Sequence, residues 1–232
     1  EAQAVAPFLA SYPFPFYLCS VTRCNVMNKD IPFCPDTAPL VLGVTGASGA
    51  LIARKLLDLL LTLPSLPLHL VFTPLGEKVW HYELGAPLPT PSERLTLHPP
   101  DDLFAPLASG SFPTRGMVIA PCSMGTLAKI TSGVTDNLLT RAADVTLKER
   151  RPLVLVPRES PLSQIHLRNL LTLAEMGVIV APPMLTLYHH PMSIETMVED
   201  FAAHLCQLLG LSVQRQAWGG EGKLAATPRL DD

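Results

Sequence analysis

From residue 40 onward the chain alternates between two hydrophobic periods. Residues 40–45 form a short apolar run that ends at Gly46, and residues 51–63 then carry Leu or Ile at helical spacing until Pro64. Residues 68–73 are a second apolar run, which predicts a strand followed by a short helix through Trp80. Residues 86–100 are rich in proline and predict a surface loop. Residues 117–120 predict a third strand, with a helix over 124–131 behind it. Residues 137–151 predict another helix, whose last turn holds Lys148, Arg150 and Arg151 against the negative end of the helix dipole. A strand over 153–156 precedes a helix over 161–176, with Pro161 near its first position and Gly177 past its end. Residues 178–180 predict a strand halted by Pro182 and Pro183, and 193–209 a last helix. The stripe of Ile194, Met197, Val198, Phe201, Leu205 and Leu208 on that helix reads most simply as core packing.

Strands and helices thus take turns, and most strands are unbroken apolar runs, as expected when both sheet faces are covered. The pattern predicts a three-layer α/β/α Rossmann-like sandwich around a mainly parallel sheet. It also predicts an irregular extension over 1–39, one domain over 40–211 and a tail over 212–232.

Composition narrows the function classes. The chain has 232 residues, 48% hydrophobic and 16% charged, which argues for a packed core and against disorder. A formal net charge of -3 offers no basic field for nucleic acid. No run approaches the roughly 20 apolar residues of a membrane span. The first residues lack a signal-peptide pattern. The chain opens on Glu1, which leaves open a fragment, a processed form or an extended reading frame. Of five cysteines, Cys19, Cys24 and Cys34 lie in the extension and Cys122 and Cys206 in the body. An odd count without CxxC pairs suits unpaired thiols in a reducing, cytoplasmic setting and no metal site.

In a parallel sheet the ligand sits at the carboxyl ends of the strands, so the segments after each strand matter most. After the first comes Gly43-Val-Thr-Gly46-Ala47-Ser48-Gly49, whose glycines allow a tight turn and whose helix amides face an anion. The second ends at Thr73, with Glu83 further on, and the third at Pro121-Cys122-Ser123-Met124-Gly125-Thr126. Arg158 and Glu159 follow the fourth strand; Tyr188, His189 and His190 follow the fifth. Hydroxyls, glycine amides and the cations Arg141, Lys148 and Arg158 suit phosphate esters. The plainer readings are helix capping by Ser123 and a solvated helix end at Lys148. No HExxH, EF-hand or Walker A pattern is present, so phosphate would be held by amides and cations without magnesium.

Gly46-Ala-Ser-Gly-Ala50, Ser109-Gly-Ser-Phe112, Pro121-Cys-Ser123 and above all the run TDNLLTRAADVTLKERRPLVLVPRESP over 135–161 resemble the flavin prenyltransferases, the UbiX-type enzymes. The likeness continues through Ala174-Glu-Met-Gly177, Pro182-Pro183 and Tyr188-His189, and covers about 40–209. It implies a Rossmann-like fold and a metal-independent transfer of a dimethylallyl group from dimethylallyl monophosphate to N5 and C6 of reduced FMN. It implies prenylated FMN as product, taken up by partner decarboxylases, and a homo-oligomer, often a dodecamer, with sites between subunits. On this resemblance Gly46, Ala47, Ser48, Thr73, Ser123, Met124, Gly125, Thr126 and Arg141 contact FMN. Lys148, Arg158, Tyr188 and His204 fall at or beside the prenyl phosphate, and Ser48, Glu83 and Glu159 are the catalytic candidates.

Two positions depart from the pattern. Thr73 stands where serine is usual and keeps the hydroxyl. His204 stands where an arginine usually meets the prenyl phosphate, which predicts weaker use of that donor above about pH 7, where an unperturbed imidazole is neutral. Trp218 resembles an aromatic that folds over the site. Two rival readings share the fold: an FMN-dependent cysteine decarboxylase, whose PxMNxxMW motif is absent, and a non-catalytic flavin-binding relic.

Overall fold

A computed structural model describes residues 37–188 and 190–215, all within the contact unit Pro32–Asp232. Cys19, Cys24, Cys34, His189 and Trp218 lie outside the described residues. So does nearly all of the expected extension, and the tail beyond residue 215.

The elements are β1 (Leu40–Val44), α1 (Ala50–Thr62), β2 (Leu68–Phe72), α2 (Pro74–Leu84), β3 (Leu95–His98) and β4 (Gly116–Cys122), followed by α3 (Met124–Thr131), α4 (Leu138–Lys148), β5 (Leu153–Pro157), α5 (Gln164–Glu175), β6 (Ile179–Val180) and α6 (Ile194–Leu208). All strand pairs are parallel, in the order β3-β2-β1-β4-β5-β6. Side chains alternate across each strand. Leu40, Leu42 and Val44 meet α1, α2 and α6 on one face, while Val41, Met117 and Ile119 meet α3, α4 and α5 on the other. The expected three layers are present, with a sheet that is parallel throughout.

Local chemistry sets the helix starts. Asn137 and Thr140 form a reciprocal capping box on α4, and Ser163 and His166 form one on α5. The α5 box corrects the expected start at Pro161: the helix begins at Gln164, after the cap. α2 runs on to Leu84, beyond the expected end near Trp80, because Gly85 closes it in a left-handed turn.

The proline-rich segment 86–100, expected to be a loop, contains edge strand β3. Its neighbouring strand is β2, through Leu68↔Leu95 to Val71↔His98. On the last helix Val198, Phe201 and Leu205 are buried as expected, but Ile194 is 62% exposed. Among the described residues no helix is long and apolar enough to cross a membrane.

Candidate active site

The strand order reverses between β1 and β4, since β2 and β3 continue to one side and β5 and β6 to the other. At such a reversal the loops diverge and leave a crevice at the carboxyl edge. Here Thr45 stitches its floor. Its Oγ1 donates to the Pro121 carbonyl at 2.8 Å and accepts from the Ser123 amide at 2.8 Å. The Thr73 amide donates to Val44 O at 2.9 Å, and the Arg158 amide to Cys122 O at 3.2 Å. These bonds fix the loops carrying Gly46, Ala47, Ser48, Thr73, Ser123, Met124, Arg158 and Glu159 along one edge.

Glu83, from the last turn of α2, reaches the amino end of α1. Its Oε2 accepts the amides of Gly49 at 2.9 Å and Ala50 at 2.8 Å, and Ser48 adds a side-chain hydrogen bond. Burial opposes the charge, but Ser48, the two amides and the nearby Arg158 guanidinium outweigh it and hold the carboxyl below its usual value. In this structure those amides, at the positive end of the helix dipole, hold the protein's own carboxylate.

The neighbouring helix starts carry hydroxyls. Thr73 Oγ1 accepts from the Gly76 amide at 3.0 Å, and Ser123 Oγ accepts from the Thr126 amide at 3.3 Å. Ser123 Oγ then donates to Thr126 Oγ1 at 3.0 Å. α2 can start this close to the sheet only because residue 76 is glycine: a Cβ there would stand 2.5 Å from the Val44 carbonyl oxygen. Gly125 faces open space, with nothing within 4 Å of a Cβ position. Two capped helix starts, chained hydroxyls and an open glycine form a donor set that fits the phosphate of a flavin mononucleotide. Cys122 below them is fully buried, and burial pushes its thiol up to about 12, so it is inert.

The other predicted residues are held by contacts outside these loops. Arg141, one turn into α4, donates from Nε to Ala108 O at 3.1 Å and pairs with Asp144 at 2.7 Å. Lys148 ends α4 and pairs with Glu149; both lie over Gly110, where a Cβ would collide with their charged ends. Arg151 nearby donates to Gly110 O and Phe112 O, and the Arg115 amide to Pro39 O, just before β1. This is the amino edge of the sheet. At 3.3 Å per residue the length of β4 puts Lys148 roughly 20 Å from the crevice.

His204, on α6, and Tyr188, which precedes it, form a third locus around Arg215. Sequence reasoning missed the residues that organise it. After α6 the chain turns back at Gly210 and brings Arg215 alongside the helix. Arg215 donates from Nε and Nη2 to the two oxygens of Asp200, each at 2.9 Å, and its Nη1 stands 3.3 Å from His204 Nδ1. Burial and the Arg215 charge lower the His204 pKa, and Asp200 opposes them. Thr186 Oγ1 also donates to Asp200 at 2.7 Å. Among the described residues no group of three or more His, Cys, Asp or Glu side chains could hold a metal.

The parallel order with its reversal, and the capped, hydroxyl-bearing loops there, define a Rossmann-like nucleotide-binding protein of the flavoprotein class. The flavoprotein family model matches residues 34–205. A probable UbiX-like flavin prenyltransferase of Streptomyces sp. (strain D7) is 44% identical over 192 residues, covering 82% of this chain and 96% of that protein. The dodecameric FMN-dependent UbiX-like decarboxylase from Escherichia coli O157:H7 superposes with a TM-score of 0.73 at 41% identity, over 78% of this chain and 100% of that one. AnUbiX (PadA1), solved in complex with FMN and dimethylallyl pyrophosphate, gives 0.71 at 38% identity, over 78% and 98%. The chain belongs to the UbiX-like flavin prenyltransferase family.

Proposed function

We propose that this chain joins the dimethylallyl group of dimethylallyl monophosphate to N5 and C6 of reduced FMN, releasing phosphate. The observation that carries this reading is Glu83 at the amino end of α1, tied to Ser48 and within the field of Arg158, beside the capped helix starts at Thr73 and Ser123. The flavin supplies the nucleophilic N5 and C6. The C–O bond of the ester breaks as the bond to N5 forms and the N5 proton leaves; the prenyl C=C then opens by taking a proton at its C2, and C3 bonds C6 as the C6 proton leaves. Ser48 and Glu83 together, and Glu159 across the crevice, are the groups we assign to receive and pass on those protons. Arg158 offsets charge developing on the leaving phosphate. The chemistry needs no metal in this reading, because fixed cations and amides meet the phosphate.

Lys148, Arg158 and Tyr188 fall in three places on one chain, so the reading needs copies to assemble the site. The dodecameric relative supports that, as do exposed apolar side chains such as Ile165 and Leu171 of α5 and Leu187 and Met192 before α6. The product would serve a decarboxylase that uses the modified flavin, in a reducing compartment such as the cytoplasm.

The test is anaerobic incubation with FMN, a reductant and dimethylallyl monophosphate, then mass spectrometry of the released flavin. A flavin heavier by one C5 unit is expected. Unchanged FMN on protein shown to bind it, with the mono- and diphosphate donors both tried, would remove the reading.

A further inference from the structure

We infer that Arg215 is a substrate-binding residue, whose guanidinium takes the phosphate of the prenyl donor beside His204. The inference rests on the prenyltransferase reading above and adds a residue beyond the family model's match to residues 34–205.

The geometry is that of a positioned cation. Asp200 accepts from Nε and Nη2 in a two-bond fork, with side chains 16% and 18% exposed. A guanidinium has five N–H donors. Two go to Asp200 and one points at His204, which leaves one on each terminal nitrogen. A phosphate accepts from such a pair at once, which an ammonium cannot match. The segment that delivers Arg215 is anchored: Leu209 and Leu211 are buried, and Val213 packs on the same core. The Leu211 amide donates to Cys206 O at 2.9 Å. Arg215 also lines a groove of about 640 Å³ between α1, α6 and the residues Thr186, His190 and Met192, so it is reachable from solvent.

The contact with His204 defines its tautomer. Arginine only donates, so at 3.3 Å Nδ1 is the acceptor and the ring proton sits on Nε2. A neutral imidazole brings one donor and no charge. Arg215 brings the permanent charge that position 204 lacks, and Tyr188 lies within electrostatic reach of Arg215. Together, imidazole N–H, guanidinium fork and phenol suit a phosphate monoester. Asp200 acts through Arg215 and is a positioning residue.

The experiment measures dimethylallyl monophosphate binding by calorimetry on the FMN-loaded protein, in parallel with turnover. The proteins are wild type, Arg215→Gln, Arg215→Lys and the pair Arg215→Gln with His204→Arg. Arg215→Gln keeps a hydrogen bond for Asp200, and should weaken donor binding about tenfold or more, as expected for lost charged hydrogen bonds. FMN affinity should not change. Arg215→Lys should fall between, and His204→Arg should restore most of the loss. Donor binding by Arg215→Gln within about twofold of wild type, or a loss that His204→Arg does not restore, overturns the inference. If wild type binds the donor, makes no prenylated flavin, and Arg215→Gln loses the binding, Arg215 stands and the activity reading falls. If wild type binds no donor, both fall.

Discussion

The carboxylate of Glu83 accepts the amide of Ala50 at 2.8 Å, so a residue from the end of α2 caps α1 from 33 positions away. α1 has no side-chain cap of its own at Gly49. One group therefore closes a helix and presents a charge beside Ser48. Replacing Glu83 with Gln removes the charge and should cost about 1 kcal/mol of stability by urea titration. It should lower the prenylation rate far more, by about 100-fold, as for loss of a general acid–base group. The folded carboxyl titrates below its unfolded value, so its contribution is present above the ordinary carboxylate range and is lost as pH falls through the depressed value. The acid limb of wild-type stability should flatten in the variant.

Donor affinity should depend on pH through His204. Its pKa is lowered, by burial first and then by Arg215, with Asp200 opposing. The imidazole is therefore neutral at pH 7 in the resting protein, and the change foreseen near pH 7 from the sequence moves to more acidic values. An arriving phosphate favours the charged ring, so binding should take up a proton below the ordinary histidine value. Calorimetry of dimethylallyl monophosphate binding in buffers of different ionisation heat should detect that uptake, and His204→Gln should abolish it.

His69 and His98 stack across β2 and β3 at 4.9 Å, with His69 Nδ1 and His98 Nε2 2.6 Å apart. One ring donates and the other accepts, and burial lowers the pKa of both, which favours the neutral rings. Burial, then His98, lowers the His69 pKa to about 4. The unfolded chain binds the proton first, so stability should fall as pH drops from about 6.5 to 4. His98→Gln should cost about 1 kcal/mol at pH 7. It should also shallow the acid slope of the unfolding free energy measured by denaturant titration.

Lys148 tests whether the site is shared between copies. Lys148→Ala and Glu83→Gln should each be nearly inactive alone, with FMN still bound by the first. Dissociated, mixed and reassembled, they should recover about a quarter of wild-type activity, because random pairing across an interface leaves that fraction of sites intact. Activity no higher than that of the separate variants would place both residues in one chain's site, or outside any site.

Much of the fold was legible because its strands are buried on both faces and read as unbroken apolar runs. β3 was not: Leu95-Thr-Leu-His98 alternates, is short and is bracketed by prolines, the composition of an edge strand and of a loop alike. The start of α5 was misplaced because Pro161 fits a first helical position, and the Ser163–His166 box that outbids it is visible only as geometry. Of the candidate site, the position of its loops at the strand ends was legible from their glycines and hydroxyls. The hold of Glu83 on α1 and the return of Arg215 to Asp200 were not, because each joins distant segments through side chains, with no periodic signal.

The distance between the crevice at the carboxyl edge and Lys148 at the amino edge has a consequence for the cell. On the proposed reading, a newly folded single chain is catalytically silent, whatever flavin it holds. Specific activity should then rise with protein concentration and vanish on dilution. A cell could set its supply of the modified flavin by how much protein it makes, with a threshold where simple proportion would otherwise be expected.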